Sequence, residues 1–237
     1  MYHKPHMNQN PDNAGQEMPA PKPAAKTDAL ENAARWLSTV FSPLLSATYG
    51  ILLAMWLSYL CYSPFRAKAI VVVMTFVATC VVPVIIIFVL SRVGVVKDPS
   101  LSTRSDRTVP YLLSALCYIG AGVYYRFVNA PEWLSMFVFG GGLALIILGI
   151  VNRYWKISAH AAGMGGLVAM LFFMMCSGNS VENMQWQFLA SVLLAGMVCT
   201  SRVVLQRHTL WQLGAGFIVG FVCVFLPAWF FPGEVLP

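Results

Sequence analysis

The sequence predicts an all-α polytopic membrane protein, a bundle of six or seven transmembrane helices with its functional site at one membrane face. Three observations predict it. Hydrophobic residues fill 58% of the 237 positions and charged residues only 10%, against about 25% charged in an ordinary soluble domain. The apolar residues fall in runs close to the roughly 20 residues that cross a bilayer core. Those runs lack strict alternation and outlast the roughly 9–11-residue strands of a membrane barrel, so they read as helices. This composition excludes a soluble globule and, beyond the N-terminal segment, disorder.

Residues 1–30 are polar and rich in Pro, Asn and Ala, with no apolar stretch after the start. They read as a disordered tail and not as a secretory signal. Residues 31–237 read as one transmembrane helical domain. Its lead-in, residues 31–41, is short and amphipathic, with Trp36 near the interface. The first run, Ser42 to Tyr62, has Pro43 near its start, where a missing N–H costs least. The second, Ala69 to Ser91, carries Pro83 inside it, which predicts a kink. The third covers Val109 to Tyr125 and extends toward Val128. The fourth covers Trp133 to Val151, the fifth Ser158 to Cys176, the sixth Met184 to Thr200 and the seventh Thr209 to Phe231. The short sixth run and the first leave the count between six and seven. Glycines at 140–142, 163–166, 216 and 220 permit close helix contact.

The net charge of +6 does not imply nucleic acid, because the cations are spread over loops and no basic helix with interleaved aromatics occurs. The six cysteines lie in or beside apolar runs without a CxxC pair, and only two histidines lie outside the first 30 residues. They read as small buried hydrophobes, with no metal site and no cofactor expected.

Counting spans places three connections on one side if all seven helices cross: 92–108, 152–157 and 201–208. They hold Lys97, Arg104 and Arg107; Arg153 and Lys156, followed by Ser158 and His160; and Arg202, Arg207 and His208, followed by Gln212. Clustered guanidinium and ammonium groups at one face suit a phosphate, which arginine grips in bidentate fashion. His160 sits just inside an apolar run, where an ionisable group is costly and usually functional.

The spacing carries a resemblance. Lys97 precedes Arg104 by six intervening residues, Ser158 precedes His160 by one, and Ser201-Arg202 is followed by five residues, His208, three residues and Gln212. This resembles the type 2 phosphatidic acid phosphatase family of integral membrane lipid phosphatases, whose motifs run KxxxxxxRP, PSGH and SRxxxxxHxxxD. The resemblance covers roughly 97 to 231 and marks a divergent branch. Ser105 follows Arg104, and a proline comes only at Pro110, after Arg107. Ile157 and Ala159 flank Ser158, and Gln212 stands where the family pattern has Asp.

The resemblance implies metal-independent phosphoryl transfer through a phosphohistidine. His208 would be the nucleophile and His160 the general acid–base. Lys97, Arg104 and Arg202 would hold phosphoryl oxygens, with a hydrogen bond from Ser158. Arg107 and Lys156 would add phosphate contacts, and Arg207 could cover a second phosphate or the lipid interface. Gln212, about one helical turn from His208, can reach it and fix its tautomer. Asp98 and Asp106 are the two carboxylates on the motif side that could replace the absent acid. The substrate would be a lipid phosphate monoester or pyrophosphate within the bilayer. A phosphate-binding membrane protein without turnover is the alternative.

The protein would reside in a bacterial inner membrane. Twelve of the fifteen Lys and Arg residues fall on the motif side or in the tail, which favours a cytoplasmic site. The family's bacterial members mostly have periplasmic sites, and the assignment reverses if the first run does not span. The facing of the site stays open.

Overall fold

The computed structural model of the chain describes residues 25–98, 101 and 103–231. Most of the segment read as a tail lies outside these residues. Its last part opens the first helix, α1 (Ala25–Val40). α2 (Pro43–Leu57) follows at a bend of 61° to the helix before it, and a 3₁₀ turn (Tyr59–Tyr62) ends it. α3 (Phe65–Phe76) and α4 (Val82–Arg92) form one continuous rod through a π turn at Val77–Val81. That turn lies just before Pro83, whose missing N–H breaks the regular ladder. A 3₁₀ turn (Ser105–Arg107) leads into α5 (Thr108–Phe127), then α6 (Glu132–Tyr154), α7 (Ala159–Ser177), α8 (Gln185–Val204) and α9 (Leu210–Phe230). No strand occurs among the described residues.

Five helices are long and apolar enough to cross a membrane: the α3–α4 rod, α6, α7, α8 and α9. The bent pair α1 and α2 makes a sixth if it is one span. α5 falls outside that set although it has 20 residues; Tyr111, Tyr118, Tyr124, Tyr125 and Arg126 make it more polar. Its tyrosines have partners inside the bundle. Tyr125 bonds Thr75 of α3, and Tyr118 bonds Ser46 and Thr79.

α7 is the central helix. Its small residues let α9 come close enough for backbone contact. A Cβ on Gly165 would strike the Phe217 carbonyl, and one on Gly216 or Gly220 would strike the carbonyl of Ser158 or Ala162. α6 approaches α9 in the same way, at Gly140 against Cys223. Around this core, Ile70, Val73, Ile85 and Phe88 on the α3–α4 rod are exposed, as are Leu193 and Met197 of α8 and Ile218 of α9. Such outward apolar faces belong against lipid.

Hydrogen bonds mark the two ends of the bundle. At one end Tyr59 N–H donates to the Asn179 carbonyl at 3.2 Å, Val181 N–H to the Leu57 carbonyl at 3.1 Å, and the Trp133 indole to the Tyr59 hydroxyl at 3.1 Å. At the other end meet the α1–α2 bend, the start of α5, the α6–α7 connection and the α8–α9 connection. Exposed Trp36, Tyr154 and Trp211 ring this second end, and Tyr62, Phe65 and Trp186 the first. Aromatic girdles of this kind sit at membrane–water interfaces.

Candidate functional site

The second end holds a cavity of about 310 Å³. Arg107, His160, Arg202 and His208 line it together with Ser42 and Ser114, and its apolar wall includes Leu44, Ile87 and Leu145 beside Tyr111. The two arginines and two histidines come from three separate stretches of sequence, at 107, 160 and 202–208. A cavity with cations at one end and apolar walls elsewhere suits an amphipathic anion.

Each polar group is placed by a local device. Thr209 caps α9, its hydroxyl accepting from the Gln212 N–H while Gln212 Oε1 accepts from Thr209 N–H at 3.3 Å. This reciprocal capping box points Gln212 Oε1 at His208, whose Nδ1 lies 3.1 Å away. An atom that accepts a backbone N–H must be the amide oxygen, so Nδ1 of His208 carries the proton. Its Nε2 therefore keeps a free lone pair. His208 lies outside the spans, and its pKa is lowered to about 4. Burial is the main cause, opposed by the Gln212 bond and reinforced by Arg107, Arg202 and Lys156. The ring is neutral at neutral pH.

His160 stands in the first turn of α7. Its Nε2 lies 3.0 Å from the Ser38 carbonyl and 3.3 Å from the Ser38 hydroxyl. A carbonyl only accepts, so Nε2 of His160 carries a proton and Nδ1 the lone pair. Arg202 Nη1 donates to the same Ser38 hydroxyl at 2.5 Å, and its buried Nε finds no hydrogen-bond partner among the described residues. Ser38 thus joins a histidine and an arginine that lie 122 and 164 residues away. Nothing in the sequence singles out this serine. It reaches the site because α1 packs on α8, with Leu37 and, just past the helix end, Phe41 against the apolar core of α7 and α8.

Arg107 is buried and donates from Nε to the Leu101 carbonyl at 2.6 Å. It also bonds the Tyr111 hydroxyl. Fully buried Asn152 of α6 anchors this turn, donating to the Arg104 carbonyl at 2.8 Å and the Thr108 hydroxyl at 3.3 Å.

The expected phosphate ligands divide. Arg107 and Arg202 line the cavity; Lys97 and Arg104 do not. Lys97 is exposed, and Arg104 donates to the Tyr154 carbonyl at 2.7 Å. Ser158 is buried as the cap of α7, its hydroxyl accepting from Ala161 N–H at 3.3 Å. Lys156 stands in the α6–α7 connection with its pKa lowered, first by burial and then by Arg107, Arg207 and Arg202.

Asp106 does not reach His208. It accepts Asp98 N–H at 3.1 Å and the Ser105 hydroxyl at 3.3 Å. Hydrogen bonds from Thr103, Asp98, Ser105 and Lys97, in that order of effect, hold its carboxyl below the usual range. It organises the connection that presents Arg107. The one sequence signal for Arg107 over Arg104 is Pro110 soon after it, at the start of α5.

The fold and site define a helical membrane protein with a two-histidine, two-arginine pocket at one end of its bundle. No known protein family, curated protein or solved structure matches the chain.

Proposed function

We propose that the protein is a membrane lipid phosphatase that hydrolyses a lipid phosphate monoester or pyrophosphate through a phosphohistidine on His208. The observation that carries this reading is the pairing of a neutral His208, its Nε2 lone pair preserved by Gln212, with Arg107, Arg202 and His160 around one amphipathic cavity. The resemblance of SR-x5-H and S-x-H to the type 2 phosphatidic acid phosphatases supports the same chemistry. A bacterial inner membrane is the expected setting.

Phosphoryl transfer asks mostly for positioning and neutralisation of oxygen charge. Arg107 and Arg202 neutralise the phosphoryl oxygens, and the apolar wall takes the start of the acyl or prenyl chain. The phosphate's negative charge stabilises a second proton on His160, at Nδ1. In the first step the Nε2 lone pair of His208 forms the N–P bond. The P–O bond breaks, and the leaving oxygen takes the His160 proton. In the second step His160 takes a proton from water while the water oxygen bonds phosphorus. The P–N bond breaks, phosphate leaves, and both histidines return to their starting states.

The test is phosphate release from phosphatidic acid, phosphatidylglycerol phosphate, lipid A phosphate and polyprenyl pyrophosphate by the purified chain in detergent with EDTA. Turnover that His208→Ala abolishes supports the proposal. Absence of release from every lipid overturns it.

One observation favours a second reading, a phosphate-binding membrane protein without turnover. Gln212 is an amide, which orients the imidazole but cannot neutralise a positive ring as a carboxylate does. Phosphate binding without release in the same panel would select that reading.

A further inference from the structure

A second cleft, of about 450 Å³, lies beside the cavity. Glu31, Arg35 and Ser38 of α1 form one wall, and Arg202, Gln206 and Arg207 form much of the other. Arg202 lines both spaces, and the Ser38 hydroxyl bonded to it closes the partition between them. Consecutive residues face opposite sides. Arg207 lines the cleft and His208 lines the cavity. The turn that leads into them has Gln206 at φ 51°, a backbone region uncommon for a residue with a side chain.

We propose that this outer cleft is a second oxyanion subsite, which holds inorganic phosphate on its way between the cavity and water. The exit role rests on the phosphatase reading; the binding site does not. Three guanidinium groups, Arg35, Arg202 and Arg207, face a single carboxylate, Glu31. That carboxylate meets Arg35 at 3.2 Å in an exposed pair, which contributes little and yields easily to a dianion. Arg202 lines both spaces, and its buried Nε has no hydrogen-bond partner among the described residues. A planar guanidinium suits an oxyanion, and the cleft presents three of them. The cavity offers apolar walls for a lipid chain; the cleft offers none of comparable extent, so the free ion belongs in the cleft.

The experiment is calorimetric titration of inorganic phosphate into the full chain in detergent at low salt. The expected result is two classes of phosphate site. Arg107→Gln removes the inner class. Arg35→Gln weakens the outer class by about fivefold, and Glu31→Gln, which removes the competing carboxylate, tightens it by a similar factor. The opposite signs separate the effect from misfolding. Dioctanoyl phosphatidic acid should displace phosphate from the inner class only; displacement from the outer class would make that site a headgroup site and overturn the exit role. A single class, indifferent to Arg35→Gln and Glu31→Gln, overturns the subsite. Failure of the lipid panel together with a surviving Arg35-dependent class leaves the subsite standing and rejects the phosphatase reading.

Discussion

Gln212 Oε1 lies 3.1 Å from His208 Nδ1 and 3.3 Å from the Thr209 backbone nitrogen. One oxygen completes a helix cap and sets a tautomer. The orientation of the His208 ring is therefore tied to the start of α9. Substitution there has two separable effects, one on the helix and one on the ring.

Gln212→Glu keeps the length and the cap while adding charge. It should raise the His208 pKa from about 4 and increase kcat by about tenfold or more, since losing the orienting carboxylate costs serine-protease triads about 10⁴-fold. Gln212→Ala should lower kcat and destabilise the fold by about 1 kcal/mol through the lost cap. Kinetics and thermal unfolding measured on both variants check this.

The pH dependence follows from the same ring. The folded pKa of about 4 lies below the ordinary 6.5, so between these values the unfolded chain binds more protons. The His208 contribution to stability is present above pH 6.5 and is lost as pH falls toward 4. Thermal unfolding in detergent from pH 7 to 4 should show a decline that is shallower in His208→Gln. An imidazole nitrogen spectrum should show Nε2 unprotonated until pH approaches 4.

Arg107 and Arg104 make a direct contrast. Arg107 is buried on the cavity, whereas Arg104 contacts the Tyr154 carbonyl outside it. Arg107→Gln should reduce kcat/KM by about 10²-fold or more, as loss of one charge-stabilising donor does. Arg104→Gln should change it by less than about fivefold, the scale of an exposed contact. Equal losses would place the phosphate clamp elsewhere in the connection.

Gly220 tests the link from packing to site. A Cβ there would strike the Ala162 carbonyl, and the pair forced apart, α7 and α9, begin just before His160 and just after His208. Gly220→Ala should cost about 1–3 kcal/mol through overpacking and reduce turnover. The exposed Gly214, with open space around it, is the control.

The long helices were legible because each is a contiguous apolar run. α6, α7, α8 and α9 begin and end within a few residues of the expected bounds. The motif-side grouping was legible too, since it needs only the order of spans. That Arg107, named there with Arg104, is the one that turns inward was not, because a 3₁₀ turn and the Asn152 anchor decide between the arginines of the connection. Ser38 was less legible still. Its role depends on the 61° bend that folds α1 back over the site, and no local pattern encodes that bend. α5 carries its tyrosines to partners on α2 and α3, and this polarity is why the count of spans stays between the runs expected and the helices apolar enough to cross.

The most direct test of the central claim is acid-quench-free trapping of the phosphorylated protein. The chain is mixed with ³³P-labelled lipid phosphate in detergent with EDTA, stopped in alkali and mapped by mass spectrometry. The account predicts a base-stable, acid-labile phosphoramidate on His208, absent in His208→Ala. Label on another residue, or turnover with no covalent label under conditions that saturate the protein in single-turnover mixing, would contradict it.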